Sequence, residues 1–513
     1  MNIRKYKHII LSLAAGGLLL VGLFLLLNGA SQIARADPSD LFVTQDGSGS
    51  DCSQTNPCDL QTALSKASDG DIIYVAAGTY TGIGDAVITI TKSITLYGGW
   101  DGAASGPVTR DPDAYPTILD GEEARRVVLI TGTVTPTIDG FIITGGNATG
   151  LGGGLFDSDA GGGIYSYAAS PIIQNNVITH NLASTQPGER AMGGGIYAES
   201  DGFVTIISNH ILSNTAGINT HLADGGGLFV TGPGKVRSNI FEENVACQGG
   251  GCRGRGGGIY VGWTDDGLEV VGNGFLNNQA AWEGGGLDLV WSAVRAAENV
   301  VHGNRAAWGA GIYSHYDKGS VIEANTVISN TASVGGGGIE IYITPSDTRP
   351  SVINNVIARN RAPGSGGGFY AWSDWNISSV TFAHNTLVDN GEGVVIGRNM
   401  TVTLTNNIVV SHSVGVTTTD SSATVLADHN LFWNNGDDGI RGTNPVDGDP
   451  RFVDPAGDDY HIAEGSAAID AGVDAGVTMD IDGDPRPIGA GYDIGADEYL
   501  ARIYLPLALK NYP

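Results

Sequence analysis

The phrase GGGIY, at residues 161–165, 193–197 and 256–260, decides the fold, because the middle of the chain is built from copies of it. Close variants stand at 152–156, 225–229, 284–288, 309–313, 336–340 and 366–370. From residue 161 onward, successive copies start 25 to 32 residues apart. A repeat of this length is typical of a solenoid, in which one short unit is stacked many times.

A second phrase interleaves with the first and consists of two asparagines five residues apart with apolar residues between them. Its copies lie at 176–181, 209–214, 239–244, 273–278, 299–304, 325–330, 355–360, 385–390 and 430–435, and the copy NIVVSH at 407–412 has lost its second asparagine. The residues between the phrases form short β-branched runs broken by Gly, Pro, Ser and Asn, which indicates strands and turns.

Such a unit cannot bury its apolar face alone, but stacked copies can. We therefore predict an all-β fold, a right-handed parallel β-helix whose strands pair about 4.8 Å apart. Glycine would supply positive φ and close backbone approach at each corner. The paired asparagines are expected to form inward or corner ladders, since Asn side chains can bond to stacked copies of themselves.

Composition limits the classes of function. The chain has 513 residues, 79 glycines and a net charge of −28. Its length exceeds one ordinary compact core, and the glycines follow no collagen period. Its acidity argues against a nucleic-acid partner. The acidity is compatible with calcium, with salty or acidic surroundings, or with nothing more than a solvated acidic surface.

The N-terminus has the pattern of a secretory signal peptide. Arg4, Lys5 and Lys7 precede an apolar run over 9–27, and small residues flank a cleavage site at 34–36. An uncleaved membrane anchor is the alternative, because the run is long enough to span a bilayer. No second run of that length follows, so we expect a secreted or extracellular mature chain without a transmembrane segment.

The four cysteines form two local pairs, Cys52 with Cys58 and Cys247 with Cys252. In an exported protein each pair is expected to close a small loop as a disulfide. Zinc is the weaker alternative, since the sequence has no C-x-x-C and no histidine near either pair.

Several stretches resemble known families. The glycine phrase followed by F-x-x-N, at 241–244, 275–278 and 432–435, resembles the repeats of polymorphic outer-membrane proteins and, more generally, the pectin-lyase-like right-handed β-helix superfamily. Residues 60–82 are similar to the start of many secreted β-helix proteins, in which a short helix caps the open end; here it would span Thr62 to Ala67. Such a cap is needed because an open coil exposes strand edges.

The C-terminal region resembles a different module. Residues 448–499 closely resemble the choice-of-anchor Q domain, and 502–513 resemble the endings of secreted proteins from filamentous Chloroflexi-type bacteria. That ending is either a sorting or docking strand or a last strand packed on the cap. The predicted organisation is a signal peptide (1–36), an N-terminal cap with the first coils (37–125), the β-helix repeats (126–435), a C-terminal anchor-type module (436–499) and a tail (500–513).

The superfamily contains pectate lyases, polygalacturonases, epimerases and many non-catalytic adhesin-like proteins, so the fold does not decide the function. The polygalacturonase set N-T-D, D-D, H-G and R-I-K is absent apart from His302-Gly303. The pectate lyase R-x-P-x-x-R and the epimerase D-P-H are also absent. These absences weaken the standard catalytic assignments.

Alternation after each glycine phrase places a column of aromatic and acidic residues on one outward face. Aromatic faces stack on sugar rings, so we predict a polysaccharide or cell-surface glycan as the partner. The candidate binding residues are Tyr260, Tyr313, Tyr342, Tyr370, Trp372, Asp374 and Trp375. A tyrosine column also makes a good β-ladder, and Trp372 with Trp375 is a binding patch if exposed or a staple if covered.

Three residues of this face are candidates for catalysis. Asp288 and Glu340 stand two coils apart, which predicts a separation near 10 Å. Inverting glycosidases hold their carboxyl pair roughly 6.5–9.5 Å apart, and His315 lies on the coil between them. In the C-terminal module, Asp480, Asp482 and Asp484 alternate as in a calcium loop without its full motif. The alternative there is an Asx-turn network with Arg486 as counter-charge.

Two classes of function remain open. The first is a non-catalytic surface protein that binds polysaccharide or mediates adhesion, which the missing motifs favour. The second is a polysaccharide lyase or inverting hydrolase acting along the aromatic face. We expect a monomer in either case, and calcium is the only cofactor that the sequence suggests.

Overall fold

The computed structural model describes residues 39–264, 267–343, 348–374 and 377–500. The predicted signal peptide (1–36) and residues 501–513 of the predicted tail lie outside these ranges. The all-β parallel β-helix is confirmed: three long sheets, A, B and C, run the length of the molecule with every strand pair parallel. No helix among the described residues is long and apolar enough to cross a membrane.

Sheet A contains fourteen strands. In spatial order they are Asp40–Val43, Ile72–Ala76, Thr95–Trp100, Thr137–Asp139, Ile172–Gln174, Val204–Ile207, Gly234–Arg237, Leu268–Val271, Val294–Ala297, Val321–Glu323, Ser351–Ile353, Ser378–Ala383, Met400–Thr405 and Thr424–Asp428.

Sheet B contains thirteen strands, most of which follow a glycine phrase directly. They are Ala86–Ile90, Arg126–Thr131, Ile164–Tyr167, Ile196–Glu199, Leu228–Thr231, Ile259–Gly262, Leu287–Val290, Ile312–His315, Ile339–Ile343, Phe369–Ser373, Glu392–Ile396, Val414–Thr418 and Asp437–Gly439.

Sheet C contains fourteen strands, most of which lie inside the asparagine phrases. They are Gly78–Tyr80, Thr117–Asp120, Phe141–Thr144, Val177–Thr179, His210–Leu212, Ile240–Glu242, Gly274–Leu276, Val300–His302, Thr326–Ile328, Val356–Ala358, Thr386–Val388, Ile408–Val410, Leu431–Trp433 and Val446–Asp447.

Smaller elements lie outside the three sheets. The segments between sheets C and B add short parallel strands at Asp159–Ala160, Arg190–Met192, Leu222–Asp224 and Arg253–Arg255, at Leu182–Ser184, Thr215–Ile218 and Val245–Gln248, and at Arg305–Trp308 and Thr331–Gly335. The remaining elements are an antiparallel pair, Phe452–Asp454 with Asp459–Ile462, an α-helix at Leu60–Lys66, and 3₁₀ turns at Leu155–Asp157 and Pro455–Gly457.

Residues of one type stack on equivalent residues of the next coil. On sheet B, Ile164 pairs with Ile196, Ile196 with Leu228, and Leu228 with Ile259, and all four side chains are fully buried in one continuous core. The strands can remain short and contain few apolar residues each, because stacking on neighbouring coils buries the apolar face that a single unit would expose.

The predicted asparagine ladders are present, and both run through the interior. In the second ladder, the Asn278 side chain donates to the Phe241 carbonyl and to Oδ1 of Asn304, while its own Oδ1 accepts from the backbone and side-chain nitrogens of Asn244. The same four bonds recur along most of each ladder, so every buried amide is satisfied by its neighbours.

His412 occupies the position of the second asparagine in the phrase at 407–412 and continues the ladder formed by the second asparagines. Its Nδ1 accepts from the Asn390 backbone nitrogen at 3.1 Å, and Nε2 lies 3.3 Å from the Leu387 carbonyl. Its own backbone nitrogen donates to Asn435. Burial lowers the pKa of His412 to about 4, which keeps the ring neutral with the proton on Nε2.

The glycine phrases serve both purposes predicted for them. The first glycine of each has positive φ, as at Gly193 with φ 63°. The second is tightly packed in most phrases, since a Cβ on Gly194 would lie 2.4 Å from the carbonyl carbon of Thr215, although the phrase at 309–313 accommodates Ala310 there. The corner at Gly193 and Gly194 therefore needs glycine for conformation at one position and for backbone packing at the next.

The two ends are closed differently. At the N-terminus the helix Leu60–Lys66 packs across the first coil, two residues earlier than predicted, with Asp59 as its N-cap. The disulfides Cys52–Cys58 and Cys247–Cys252 are both formed. The C-terminal module, which we define as residues 448–499, folds back along the outside of sheet C.

Candidate functional site

The outward column of sheet B has the predicted order but not the predicted exposure. Its members stack in register, one per coil: Tyr165, Tyr197, Phe229, Tyr260, Asp288, Tyr313, Glu340 and Tyr370. Rings from Tyr165 to Tyr260 stack at centroid spacings of 5.1–5.4 Å. Tyr260 is fully buried and Tyr313 nearly so. The exposure that a sugar-stacking role for these two rings requires is therefore not present in this structure.

The cover comes from the segments that precede the glycine phrases. Ala160 and Met192 pack on the column, and the Tyr165 hydroxyl donates to the Gly153 carbonyl at 2.7 Å. The backbone nitrogen of Leu155 donates to the Tyr197 hydroxyl. The column is thus a second, outer core rather than a surface.

Asp288 and Glu340 are both completely buried on either side of Tyr313. Glu340 accepts from the Trp372 indole at 2.9 Å and from the Gly309 backbone nitrogen at 3.0 Å. Neither carboxyl oxygen of Asp288 has a hydrogen-bond partner among the described residues. Burial raises the pKa of Glu340 to about 8 and the pKa of Asp288 well above its usual value. Glu340 is therefore mostly protonated at neutral pH.

His315 lies beside an acid that sequence reasoning missed. Its Nδ1 is 3.7 Å from a carboxyl oxygen of Glu283, and burial lowers the pKa of His315 to about 3. Burial raises the pKa of Glu283 to about 7. Glu283 immediately precedes a glycine phrase, as do Asp224 and Arg255, which form a bidentate ion pair at 2.7 Å. The position directly before a glycine phrase, which these three charged residues share, is the sequence signal that could have revealed Glu283.

A row of aromatic residues that the sequence did not single out runs along the corner that follows sheet B. We call Trp263, Trp291 and Tyr316 the corner row; each has positive φ, and each stands seven residues after the start of its glycine phrase. Trp291 stacks on Tyr316 with centroids 4.5 Å apart. The two tryptophans are about 40% exposed, Trp263 at 41% and Trp291 at 39%. This corner therefore presents aromatic rings to solvent, whereas most of the sheet B column is covered.

A surface cleft of about 420 Å³ opens at one end of the corner row. Phe156, Tyr167 and Trp263 present large exposed rings there, and Phe156 meets Trp263 edge to face at 6.0 Å. Glu199 and Asp201 supply carboxylates to the same cleft. Such a surface offers flat apolar faces beside hydrogen-bond acceptors.

At the other end, the predicted binding residues are partly covered. Tyr342 is buried, with its ring 4.2 Å from that of Trp372, and its hydroxyl donates to Asp374 at 2.8 Å. Asp374 also pairs with Arg398. Tyr370 and Trp372 are half-buried. Tyr342 thus packs against its neighbours instead of facing solvent as predicted. Trp375 lies outside the described residues.

The predicted calcium loop is organised as the Asx-turn alternative expected. Oδ1 of Asp480 accepts from the backbone nitrogens of Asp482 and Asp484, and its Oδ2 accepts from that of Glu498. Arg486 pairs with Glu498 at 2.8 Å in the interior. Within the described residues, the three aspartates do not form a group that could hold a metal ion. Asp482 instead lies close to His461 and Asp497. No local motif announces that grouping, since the three residues are far apart in sequence.

Comparison with known proteins places these features in context. The sequence matches the family described as "Right handed beta helix region" over residues 126–279 and 285–447, more than half of the chain. Among solved structures, pectate lyase Pel9A is 15% identical, with 91% of this chain and 98% of that chain covered and a TM-score of 0.37.

Two further structures are similar. The PL6 family alginate lyase AlyGC is 16% identical, with coverage of 80% and 53% and a TM-score of 0.47, so this chain spans about half of that one. A mannuronic acid specific polysaccharide family 6 lyase from human gut microbiota is 14% identical, with coverage of 80% and 92% and a TM-score of 0.38. The search of curated proteins found no match.

Proposed function

Because the chain belongs to the right-handed β-helix family, in which a site and not the fold determines activity, we propose that it is a secreted, non-catalytic protein that binds polysaccharide at the cleft and corner row. The observation that carries the proposal is the group of exposed rings at Phe156, Tyr167 and Trp263. Exposed aromatic clusters of this kind are uncommon on a surface without a ligand.

The chemistry of the cleft fits a sugar polymer. The apolar CH faces of a sugar pack on aromatic rings, and its hydroxyls donate to carboxylates such as Glu199 and Asp201. Trp263, Trp291 and Tyr316 follow one another on successive coils, so a chain lying along the solenoid axis would meet a ring at each step. Arg190 lies over the Phe156 ring at 4.7 Å and holds it in place.

Burial of the acids supports binding over catalysis. Asp288 and Glu340 have no exposed surface, so a polymer has no direct approach to them. The second candidate is a lyase or hydrolase. It is favoured by one observation: the pKa values of Glu340, about 8, and Glu283, about 7, suit a general acid at neutral pH. That activity would require the cover of sheet B to open.

Features of the ends support a place at the cell surface. The signal-peptide pattern and the two disulfides fit export to an oxidising compartment. The resemblance of residues 448–499 to the choice-of-anchor Q module, and of the tail to bacterial secreted endings, supports attachment after export.

Retention and product size test the proposal together. Residues 37–513 would be run in affinity gels containing neutral or acidic polysaccharides, and the polymers would be sized after incubation. We expect retardation by at least one polymer without shortening, and loss of about tenfold in affinity for Trp263→Ala and for Tyr167→Ala, since a stacked ring contributes about 1–2 kcal/mol. Trp433→Ala, which removes an exposed ring from sheet C, is the matched control.

Two results would contradict the proposal. Equal retardation of the wild type and both cleft variants would remove the cleft from the binding site. Shortened polymer would make the chain an enzyme, and absorbance from a new double bond would then separate a lyase from a hydrolase.

A further inference from the structure

A second cluster with ligand chemistry lies on a different part of the molecule, in the C-terminal module. His461, Asp482 and Asp497 each offer one ligand atom, and these three atoms lie within 4.8 Å of one another. They line a cleft of about 1280 Å³ between the module and the coils, whose opposite wall includes Arg295 and Arg359. This site shares no residue with the corner row.

The histidine is oriented as a metal ligand would be. Its Nδ1 lies 2.6 Å from Oδ1 of Asp459, and its Nε2 lies 2.8 Å from Oδ2 of Asp482. Ligating histidines usually donate their second ring nitrogen to a carboxylate that fixes the ring. Asp459 occupies that position, and Nε2, which faces Asp482, is the nitrogen left for a metal ion.

One buried carboxylate fixes the segments that carry the acids. Asp480 is only 4% exposed, and it binds the backbone nitrogens of Asp482 and Glu498, the residue after Asp497. Oδ2 of Asp497 accepts from the Ile462 backbone nitrogen at 2.8 Å, next to His461 in the chain. The three ligand-bearing segments are thus joined by direct hydrogen bonds, so their positions are set before any ion arrives.

We propose that His461, Asp482 and Asp497 bind one divalent first-row transition-metal ion of the zinc type, with a coordination position left open to the cleft. Bonds of about 2.0–2.2 Å in a tetrahedral site place ligand atoms about 3.4 Å apart, which small side-chain rotations reach from the present spacing. Three protein ligands leave the fourth position to water or to an oxygen donor in the cleft.

The ligand set selects against calcium. Calcium binds six to eight oxygen ligands and does not favour imidazole nitrogen. Zinc and the neighbouring first-row transition metals bind imidazole nitrogen and carboxylate oxygen together. Asp484, which the calcium pattern in the sequence included, belongs to the same loop but is not a member of this cluster.

Zinc titration of the chelator-treated chain, residues 37–513 with any affinity tag removed, tests the site by calorimetry. We expect one equivalent of Zn²⁺ to bind, no displacement by excess Ca²⁺, and a visible absorption band when Co²⁺ is used instead. Asp482→Asn should weaken binding at least about a hundredfold, and Asp459→Asn about 10–100-fold as an orienting residue. Asp484→Asn should bind as the wild type does.

Asp482 is the first choice for substitution because its side chain is 55% exposed and the change leaves the fold intact. Asp497→Asn is the second variant, with its thermal unfolding compared to the wild type. Absence of zinc uptake, equal uptake by Asp482→Asn and Asp484→Asn, or displacement by calcium would each overturn the assignment. Polysaccharide retention by Asp482→Asn, and zinc binding by Trp263→Ala, keep this test independent of the proposed function.

Discussion

His412, the one histidine in the ladder of second asparagines, leads to a prediction that a single substitution can test. His412→Asn restores the residue type found at the other ladder positions and should make the ladder insensitive to acid. In the native chain the ring accepts one hydrogen bond from the Asn390 backbone and stays neutral with a pKa of about 4. The introduced amide would accept from both nitrogens of Asn390, as Asn360 does for Asn330.

The sign and size follow from the shift in pKa. A histidine whose pKa falls on folding contributes stability above the unfolded value of 6.5, and that contribution is lost as the pH falls through 4. At pH 4.5 the loss is about 2.5 kcal/mol relative to pH 7.5, from the ratio of protonation in the two states. The difference in stability between His412→Asn and the wild type should therefore widen by that amount, in favour of the variant.

Hydrogen exchange is the appropriate assay, because a solenoid opens locally and not as one unit. Opening free energies for peptides covering 385–435 would be compared at pH 7.5 and pH 4.5, after correction for intrinsic exchange. His180→Asn removes an exposed imidazole from an equivalent phrase and is the control. If the difference between the variant and the wild type is the same at both pH values, the His412 ring is not held in its neutral form by burial.

Three further predictions concern buried groups. Asn278→Ala removes four buried hydrogen bonds and should lower the free energy of unfolding by about 4 kcal/mol, measured as a loss of exchange protection in the adjoining coils. Gly194→Ala places a Cβ against the next coil and should lower the free energy of unfolding, measured by urea denaturation, by more than about 2 kcal/mol. Gly250→Ala is the control, because no atom lies within 4 Å of its added Cβ. Equal urea midpoints for the two variants would refute the packing role of the second glycine. Because the pKa of Glu340 rises from 4.5 to about 8 on folding, its contribution is present below pH 4.5 and lost as the pH rises through 8, a decline of about 5 kcal/mol by pH 9 that Glu340→Gln should abolish. A variant whose alkaline transition matches that of the wild type would show that Glu340 is already ionised at neutral pH.

The sequence was sufficient for the features that the backbone dictates. A Cβ on Gly193 would lie 2.2 Å from the Ile196 carbonyl oxygen, and one on Gly194 would lie 2.4 Å from the Thr215 carbonyl carbon. Close backbone approach of this kind favours glycine in most coils, so it can be read as a repeat. The asparagine ladders could be predicted for the same reason, because each buried amide needs an identical partner one coil away.

What lies over the coils could not be predicted in the same way. Tyr260 was expected at the surface, but it is buried. The alternation of residues along a strand shows which side chains point away from the core, but it does not show whether another segment covers them. Trp263 and Trp291 occupy a left-handed corner position where bulky residues are rare, so neither was considered. His461, Asp482 and Asp497 come together through hydrogen bonds within the C-terminal module, and no period in the sequence encodes that contact.

The path by which the chain leaves the solenoid has a mechanical consequence. The last described segment is held near the C-terminal end of the stack, where Gly495 donates to the Asn406 carbonyl and Ala496 to the Thr386 hydroxyl. Tension applied beyond residue 500 would enter the coils there and load several parallel strands in shear. The strand Leu431–Trp433 lies beyond this attachment, and Leu431 packs with Ile494 of the C-terminal module. A pull from this end would therefore load the contact between the module and sheet C before it reached the last strands.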